Sequence, residues 1–125
     1  MARPIVYACS DSLGETAERV ARAAASQYNQ EEFNIIRVPY IRSEQQIEDI
    51  VKKAEADHAM ICYTIISPVL RRKLKTLTKN SDVTVVDIIG PMMDGIGNIA
   101  TTEPTMKAGM IHRLDEEYFK RVEAI

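Results

Sequence analysis

Ile5-Val6-Tyr7-Ala8-Cys9-Ser10-Asp11-Ser12-Leu13-Gly14-Glu15-Thr16-Ala17 reads as a strand that turns directly into a helix. The apolar run Ile5 to Cys9 breaks into small, hydroxylated and acidic residues. Ala17, Val20, Ala21, Ala24 and Tyr28 then fall on one helical face. Such a turn gathers backbone N–H groups and hydroxyls around one point, an arrangement that favours an anion and often a phosphate. The same residues also fit a simpler arrangement. Ser12 would cap the helix, Glu15 would complete a Ser-x-x-Glu capping box, and Gly14 would give the turn room. Both readings stand on the residues alone, and Ser10, Asp11, Ser12, Gly14, Glu15 and Thr16 are the candidate anion-binding set.

Outward from this loop, strand and helix patterns alternate. Asn34 to Val38 forms a second strand that stops near Pro39. Ser43 and Gln46 are placed as a capping box, followed by Ile47, Ile50, Val51 and Ala54 at helical spacing. The run Ala59 to Ile66 is apolar and β-branched, as expected of a strand covered on both faces. Ser67-Pro68 opens a helix with a cap residue and a first-position proline, and Leu70, Leu74 and Leu77 form its stripe. Val83 to Ile88 completes a set of four strands.

Strands separated by helices imply right-handed crossovers and a parallel sheet between two helical layers. The expected fold is α/β, a three-layer Rossmann-like domain with a four-stranded parallel sheet of order 2-1-3-4, plus a C-terminal helix. Ligands of such sheets bind beyond the carboxyl ends of the strands, beside the first strand. That rule brings the Ser10 to Thr16 loop, Thr64 and the Gly90-Pro91 turn to one edge. Residues 88–110 read as an irregular crossing containing a short helix. Residues 111–125 read as a terminal helix with Ile111, Leu114, Tyr118, Val122 and Ile125 along one side. That stripe runs to the last residue without a cap, so a continuation into a further domain is expected.

The composition excludes several classes. At 125 residues, 46% hydrophobic and 27% charged, the chain has the make-up of one soluble globular domain. A net charge of -2 gives no basic field for nucleic acid. No apolar run approaches the roughly 18 residues of a membrane span, and the start carries no secretory pattern. Cys9 and Cys62 fall in apolar strands without CxxC spacing and read as reduced core thiols, which suits a cytoplasmic protein.

Outside the first loop, few residues carry chemistry. Asp11 fits two roles, capping the turn or meeting a Mg2+ held by substrate phosphates. Asp87, near a central strand end, would be costly unless paired or solvated, which marks it as a site candidate. His112 and Arg113 open the last helix, where they could touch phosphate or serve structure alone. His58 reads as a surface residue, Met92-Met93 as core filler, and Arg71-Arg72-Lys73 with Lys75 as a solvated face. Neither histidine has partners at zinc-ligand spacing, so no metal site is expected.

Ser10-Asp11-Ser12-x-Gly14-Glu15-Thr16-Ala17, Tyr63-Thr64, Asp87-Ile88-Ile89-Gly90-Pro91 and Leu114-Asp115-x-x-Tyr118-Phe119-x-Arg121-Val122-Glu123-Ala124-Ile125 occur in this order. Together they resemble the N-terminal half of the bacterial pyruvate, phosphate dikinase regulatory proteins, whose architecture the phosphoenolpyruvate synthase regulatory proteins share. The resemblance implies a bifunctional protein. It would phosphorylate a threonine of the dikinase with ADP as donor, and remove that phosphate in a phosphate-dependent reaction that releases pyrophosphate. ADP, phosphate and accompanying Mg2+ would be ligands of the parent protein. The dikinase or the synthase would be its partner, beside a second copy of itself in a homo-oligomer. Leu13 departs from the threonine or valine common at its position. The family's lysine-containing, P-loop-like nucleotide site lies in the second half, and no such loop occurs here: Gly95 and Gly97 lead into Asn98 and Ile99. This stretch alone is therefore expected to be inactive as a kinase. Two alternatives remain open on the residues: a non-catalytic dimerisation or target-docking module, and a stand-alone flavodoxin-like binder of a phosphorylated small ligand.

Overall fold

A computed structural model describes residues 3–109. Its elements follow the order β1 (Ile5–Ser10), α1 (Glu15–Ala25), β2 (Asn34–Val38), α2 (Glu44–Asp57), β3 (Met60–Thr64), α3 (Pro68–Thr78), β4 (Val85–Asp87) and α4 (Gly90–Gly97). A single 3-10 turn, Gln30–Glu32, stands between α1 and β2. The strands form one parallel sheet of order β2-β1-β3-β4, the expected Rossmann-like topology. The terminal helix expected over 111–125, with His112 and Arg113, lies outside the described residues.

Alternation along the strands sends side chains to two faces. On one face Tyr7, Cys9, Ile61 and Tyr63 meet Ile47, Ile50, Val51 and Ala54 of α2 and Leu70 and Leu74 of α3. Ile47 and Ile61 are fully buried there, each contributing about 1.5–3 kcal/mol by leaving water. On the other face Val6, Ala8 and Cys62 meet Ala17 of α1. Register places Ala8 beside Cys62 and Cys62 beside Val86, so these three share that second face.

Local chemistry sets most boundaries. Ser43 caps α2 through the amide of Gln46, whose side chain accepts in return from the Ser43 N–H at 3.0 Å: the expected capping box. Ser67 caps α3, with Pro68 at its start. His58 ends α2 in the left-handed region at φ 52, with its side chain exposed as expected.

Several expectations need correction. Tyr28 is not on α1. The helix ends at Ala25, because the N–H groups of Gln27 and Tyr28 bond back to Ala24 and Ala25 in a tighter turn. Tyr28 instead meets the Phe33 ring edge-on at 6.4 Å. β3 stops at Thr64 rather than Ile66, since the Ile66 N–H is taken by the Asp11 side chain. β4 spans only Val85–Asp87, because Asp87 turns the chain into α4. Met92 is 62% exposed and fills no core.

Candidate phosphate-binding cleft

β1 carries its apolar side chains into the sheet and delivers Ser10 and Asp11 to the carboxyl edge, both buried. The Ser10 hydroxyl donates to the Thr64 carbonyl at 3.2 Å and accepts from the Ser12 N–H at 3.0 Å. It ties the end of β1 to the end of β3 and starts the turn. Asp11 reaches further. Its Oδ2 accepts from the N–H of Ile66 at 2.8 Å and of Ser67 at 3.2 Å, pinning the β3–α3 loop. The carbonyls of Ser10 and Ser12 accept from Ile41 and Tyr40, each at 2.9 Å, and the Arg42 guanidinium bonds to the Asp11 carbonyl. The β2–α2 and β3–α3 loops are thus both fastened to one turn.

The helix that follows is not capped as a Ser-x-x-Glu box. Gly14 is its N-cap, at φ 86 and ψ 5, and no side chain caps it. Ser12 stands two residues before that N-cap and makes no bond to the first turn among the described residues. Its carbonyl is spent on Tyr40. Gly14 is required here for two reasons. Its φ is left-handed, and a Cβ would sit 2.9 Å from Cγ of Arg37. Arg37 is itself held by Glu18 of α1 at 2.5 Å, and Glu18 also meets Arg22 at 3.1 Å. The Arg37 guanidinium in particular holds the Glu18 carboxyl below the usual range.

Without a side-chain cap, the N–H groups of Leu13, Gly14, Glu15 and Thr16 have no acceptor among the described residues. These residues border a cleft of about 180 Å³ lined by the whole Ser10 to Thr16 loop with Thr64, Ile66, Ile89, Lys107 and Gly109. Thr64 is where the topology rule placed it. Gly90 does not line the cleft; its neighbour Ile89 does. Lys107 and Gly109 come from the irregular crossing, which folds back so that a Cβ on Gly109 would lie 3.0 Å from the Ser12 hydroxyl. Sequence reasoning missed Lys107, which sits in a stretch of no regular period. The only signal was a cation among Pro, Thr and Gly residues.

Asp87 stands apart from this cleft. Its Oδ2 pairs with Arg71 at 2.9 Å and its Oδ1 accepts the Gly90 N–H at 2.8 Å, starting α4. Arg71 is therefore no part of a solvated face, being only 19% exposed in its side chain. Gly90 leaves room for this pair, since a Cβ there would run into both the Asp87 carboxylate and the Arg71 guanidinium. Burial, reinforced by the Asp87 charge, pushes the neighbouring Tyr63 phenol up to about 12 and keeps it protonated. Among the described residues no helix is long and apolar enough to cross a membrane.

A family model described as kinase/pyrophosphorylase matches residues 6–125. The chain belongs to the kinase/pyrophosphorylase family. Relatives named as pyruvate, phosphate dikinase regulatory proteins align with nearly all of it. The protein of Carboxydothermus hydrogenoformans is 42% identical over 122 residues, covering 98% of this chain and 44% of that protein. Those of Halalkalibacterium halodurans and Oceanobacillus iheyensis are 41% and 38% identical over 123 residues, with 46% and 45% of their own lengths covered. The chain thus spans a little under half the length of these family members.

Proposed function

We propose that this chain is the N-terminal domain of a bifunctional kinase and phosphorylase that regulates pyruvate, phosphate dikinase, and that its Ser10 to Thr16 cleft holds a phosphate group. The observation that carries the reading is the uncapped start of α1, whose first residues border a cleft also lined by Lys107. A helix start of this kind presents partial positive charge and directed donors to an anion. The names of the family relatives support the dikinase as target, and the kinase/pyrophosphorylase description supports two paired activities; ADP as donor, threonine as acceptor and phosphate-dependent dephosphorylation rest on the motif resemblance.

The cleft suits the phosphorylase direction well. Inorganic phosphate attacking a phosphothreonine must be held and oriented, and a backbone cradle does this without adding a nucleophile of its own. Leu13 is compatible with that role because only its N–H is needed. The carboxylates of Asp11 and Glu15 border the same cleft, so a nucleotide phosphate would bring its own Mg2+ to offset them. Kinase chemistry also needs a lysine-bearing phosphate loop, which the family resemblance places in the second half of the full-length protein.

Titration with phosphate, pyrophosphate and ADP, with and without Mg2+, followed by amide NMR shifts, tests this. The largest shifts are expected at Leu13, Gly14, Glu15 and Thr16, and Lys107→Ala should weaken binding. Shifts centred elsewhere, or none at millimolar phosphate, would sink the assignment.

A further inference from the structure

Charge is unevenly shared along this chain. From Ser67 to Lys79, α3 and its caps carry Arg71, Arg72, Lys73, Lys75 and Lys79 and no acidic residue. The whole chain stands at -2, so everything outside this helix is acidic by seven charges. Two of the five cations are used within the fold, Arg71 by Asp87 at 2.9 Å and Lys73 by Glu48 at 3.0 Å. Arg72, Lys75 and Lys79 are exposed and form no salt bridge among the described residues. Lys79 is the C-cap and keeps helical angles, φ -55 and ψ -41. A helix turns about 100° per residue, which sets these three within about 60° of one another on a single stripe. A hollow of about 280 Å³ runs along the stripe past Pro68, Arg71, Arg72 and Lys75, and Val69 lies 52% exposed at its flank.

Such a stripe works against its own helix. Arg72 and Lys75 are three apart, and Arg71 with Lys75 and Lys75 with Lys79 are four apart, so like charges are neighbours and repel. The first turn holds no acid to meet the helix dipole. Local rules are broken in this way where a surface serves binding. We propose that the outer face of α3 is a docking surface for a short acidic segment of a partner protein, with carboxylates seated on Arg72, Lys75 and Lys79. Two observations choose this occupant. The stripe is short, about 10 Å from Arg72 to Lys79, room for a few carboxylates. The rest of the chain is acidic, so only a polyanion that ends with the stripe escapes repulsion. A nucleic acid carries a charge every ~1.7 Å and would run on over that acidic remainder. The inference is independent of the phosphate cleft.

A labelled hexaglutamate peptide is the probe, titrated into the 125-residue chain and read by anisotropy and amide NMR shifts. The largest shifts are expected at Val69, Arg72, Lys75, Thr76 and Lys79. Joint Arg72→Glu and Lys75→Glu should weaken binding about tenfold, as two exposed ion pairs become repulsive. Joint Arg19→Glu and Lys52→Glu change the net charge equally but at exposed sites on α1 and α2, and should leave binding nearly as it was. The α3 variant relieves the repulsion along its helix, so its melting temperature should hold or rise while binding falls. Equal weakening by both pairs overturns the proposal, because net charge alone would then explain the affinity. So do shifts centred on Ser10 to Thr16, or none. An oligothymidylate of matched charge that binds α3 as tightly as the peptide overturns the choice of a protein partner. A melting temperature that drops in the α3 variant overturns the proposal as well, since the cations would then serve the fold.

Discussion

Replacing Asp11 by alanine should release the β3–α3 loop from the end of β1. Asp11 is 5% exposed, and its Oδ2 holds the N–H groups of Ile66 and Ser67 at 2.8 and 3.2 Å. Hydrogen bonds to a charged acceptor contribute about 1.5–3 kcal/mol each, and a buried N–H left without a partner adds its desolvation cost. Both bonds are only part-buried, so water can replace part of the loss. The expected destabilisation is therefore about 2–4 kcal/mol rather than the full sum. For a domain of this size that lowers Tm by roughly 8–15 °C. Asp11→Asn keeps an amide oxygen in place of Oδ2 and should cost only about 1 kcal/mol. Urea unfolding followed by circular dichroism reads both values, and an unchanged m-value shows that the native state has not come apart. If Asp11→Ala stays within about 0.5 kcal/mol of the unsubstituted protein, the carboxylate is no anchor. A loss of phosphate or Mg2+ binding without loss of stability would then assign Asp11 to the ligand instead.

Gly14→Ala should cost about 1–3 kcal/mol, from the left-handed φ and the contact with the Arg37 stem. A melting temperature unchanged in this variant would show that the turn relaxes freely. Tyr7 donates to Asp57 at 2.5 Å, and Tyr7→Phe should cost about 0.5–1.5 kcal/mol at neutral pH. Burial and the Asp57 contact raise the Tyr7 phenol from 10.0 to about 12. The folded state then holds its proton more tightly than the unfolded one, so this stabilisation is complete below pH 10 and drains away up to about 12. Denaturant midpoints across that window should fall less steeply in Tyr7→Phe; an identical slope counts against the assignment. Glu18 has the opposite sign. Its pKa is lowered from 4.5, chiefly by Arg37, so its contribution is present above that value and lost as pH falls through the folded pKa. Glu18→Gln should flatten part of the acid-side decline, and no flattening would make the Arg37 pair energetically idle.

Fold and strand order were legible because they rest on repeated signals. The apolar strands, the Ser43 and Gln46 box and the Ser67-Pro68 start each set a boundary from a few neighbouring residues, and the crossover rule then allows few topologies. What was not legible depends on contacts between distant residues. Nothing around Ile66 in the sequence says that Asp11, fifty-five positions earlier, takes its N–H and ends the strand. Arg71 looks like one charge in a basic run until Asp87 is brought beside it. Lys107 acquires meaning only because its irregular segment returns to Ser12. Periodicity reports which face of an element is buried, not which loops meet at the edge of a sheet.

The failed capping box is what makes the anion reading stronger. The two interpretations of Ser12, Gly14 and Glu15 compete for the same donors, since a capping serine bonds the N–H of the third helical residue. Had Ser12 capped α1, one of the donors an anion needs would already be occupied. Instead Ser12 gives its carbonyl to Tyr40, Ser10 and Asp11 spend their side chains on β3 and the loop after it, and a glycine stands at the N-cap. The side chains build the frame and leave the backbone donors beside the cleft without a protein acceptor among the described residues. That division also separates the expected phenotypes. Damage to Ser10 or Asp11 should appear first as lost stability, whereas Lys107→Ala, exposed and tied into none of these bonds, should weaken phosphate binding while leaving the melting temperature nearly unchanged. A Lys107→Ala protein that binds phosphate normally would remove the lysine from the site, leaving the N–H groups at the start of α1 as its only basis.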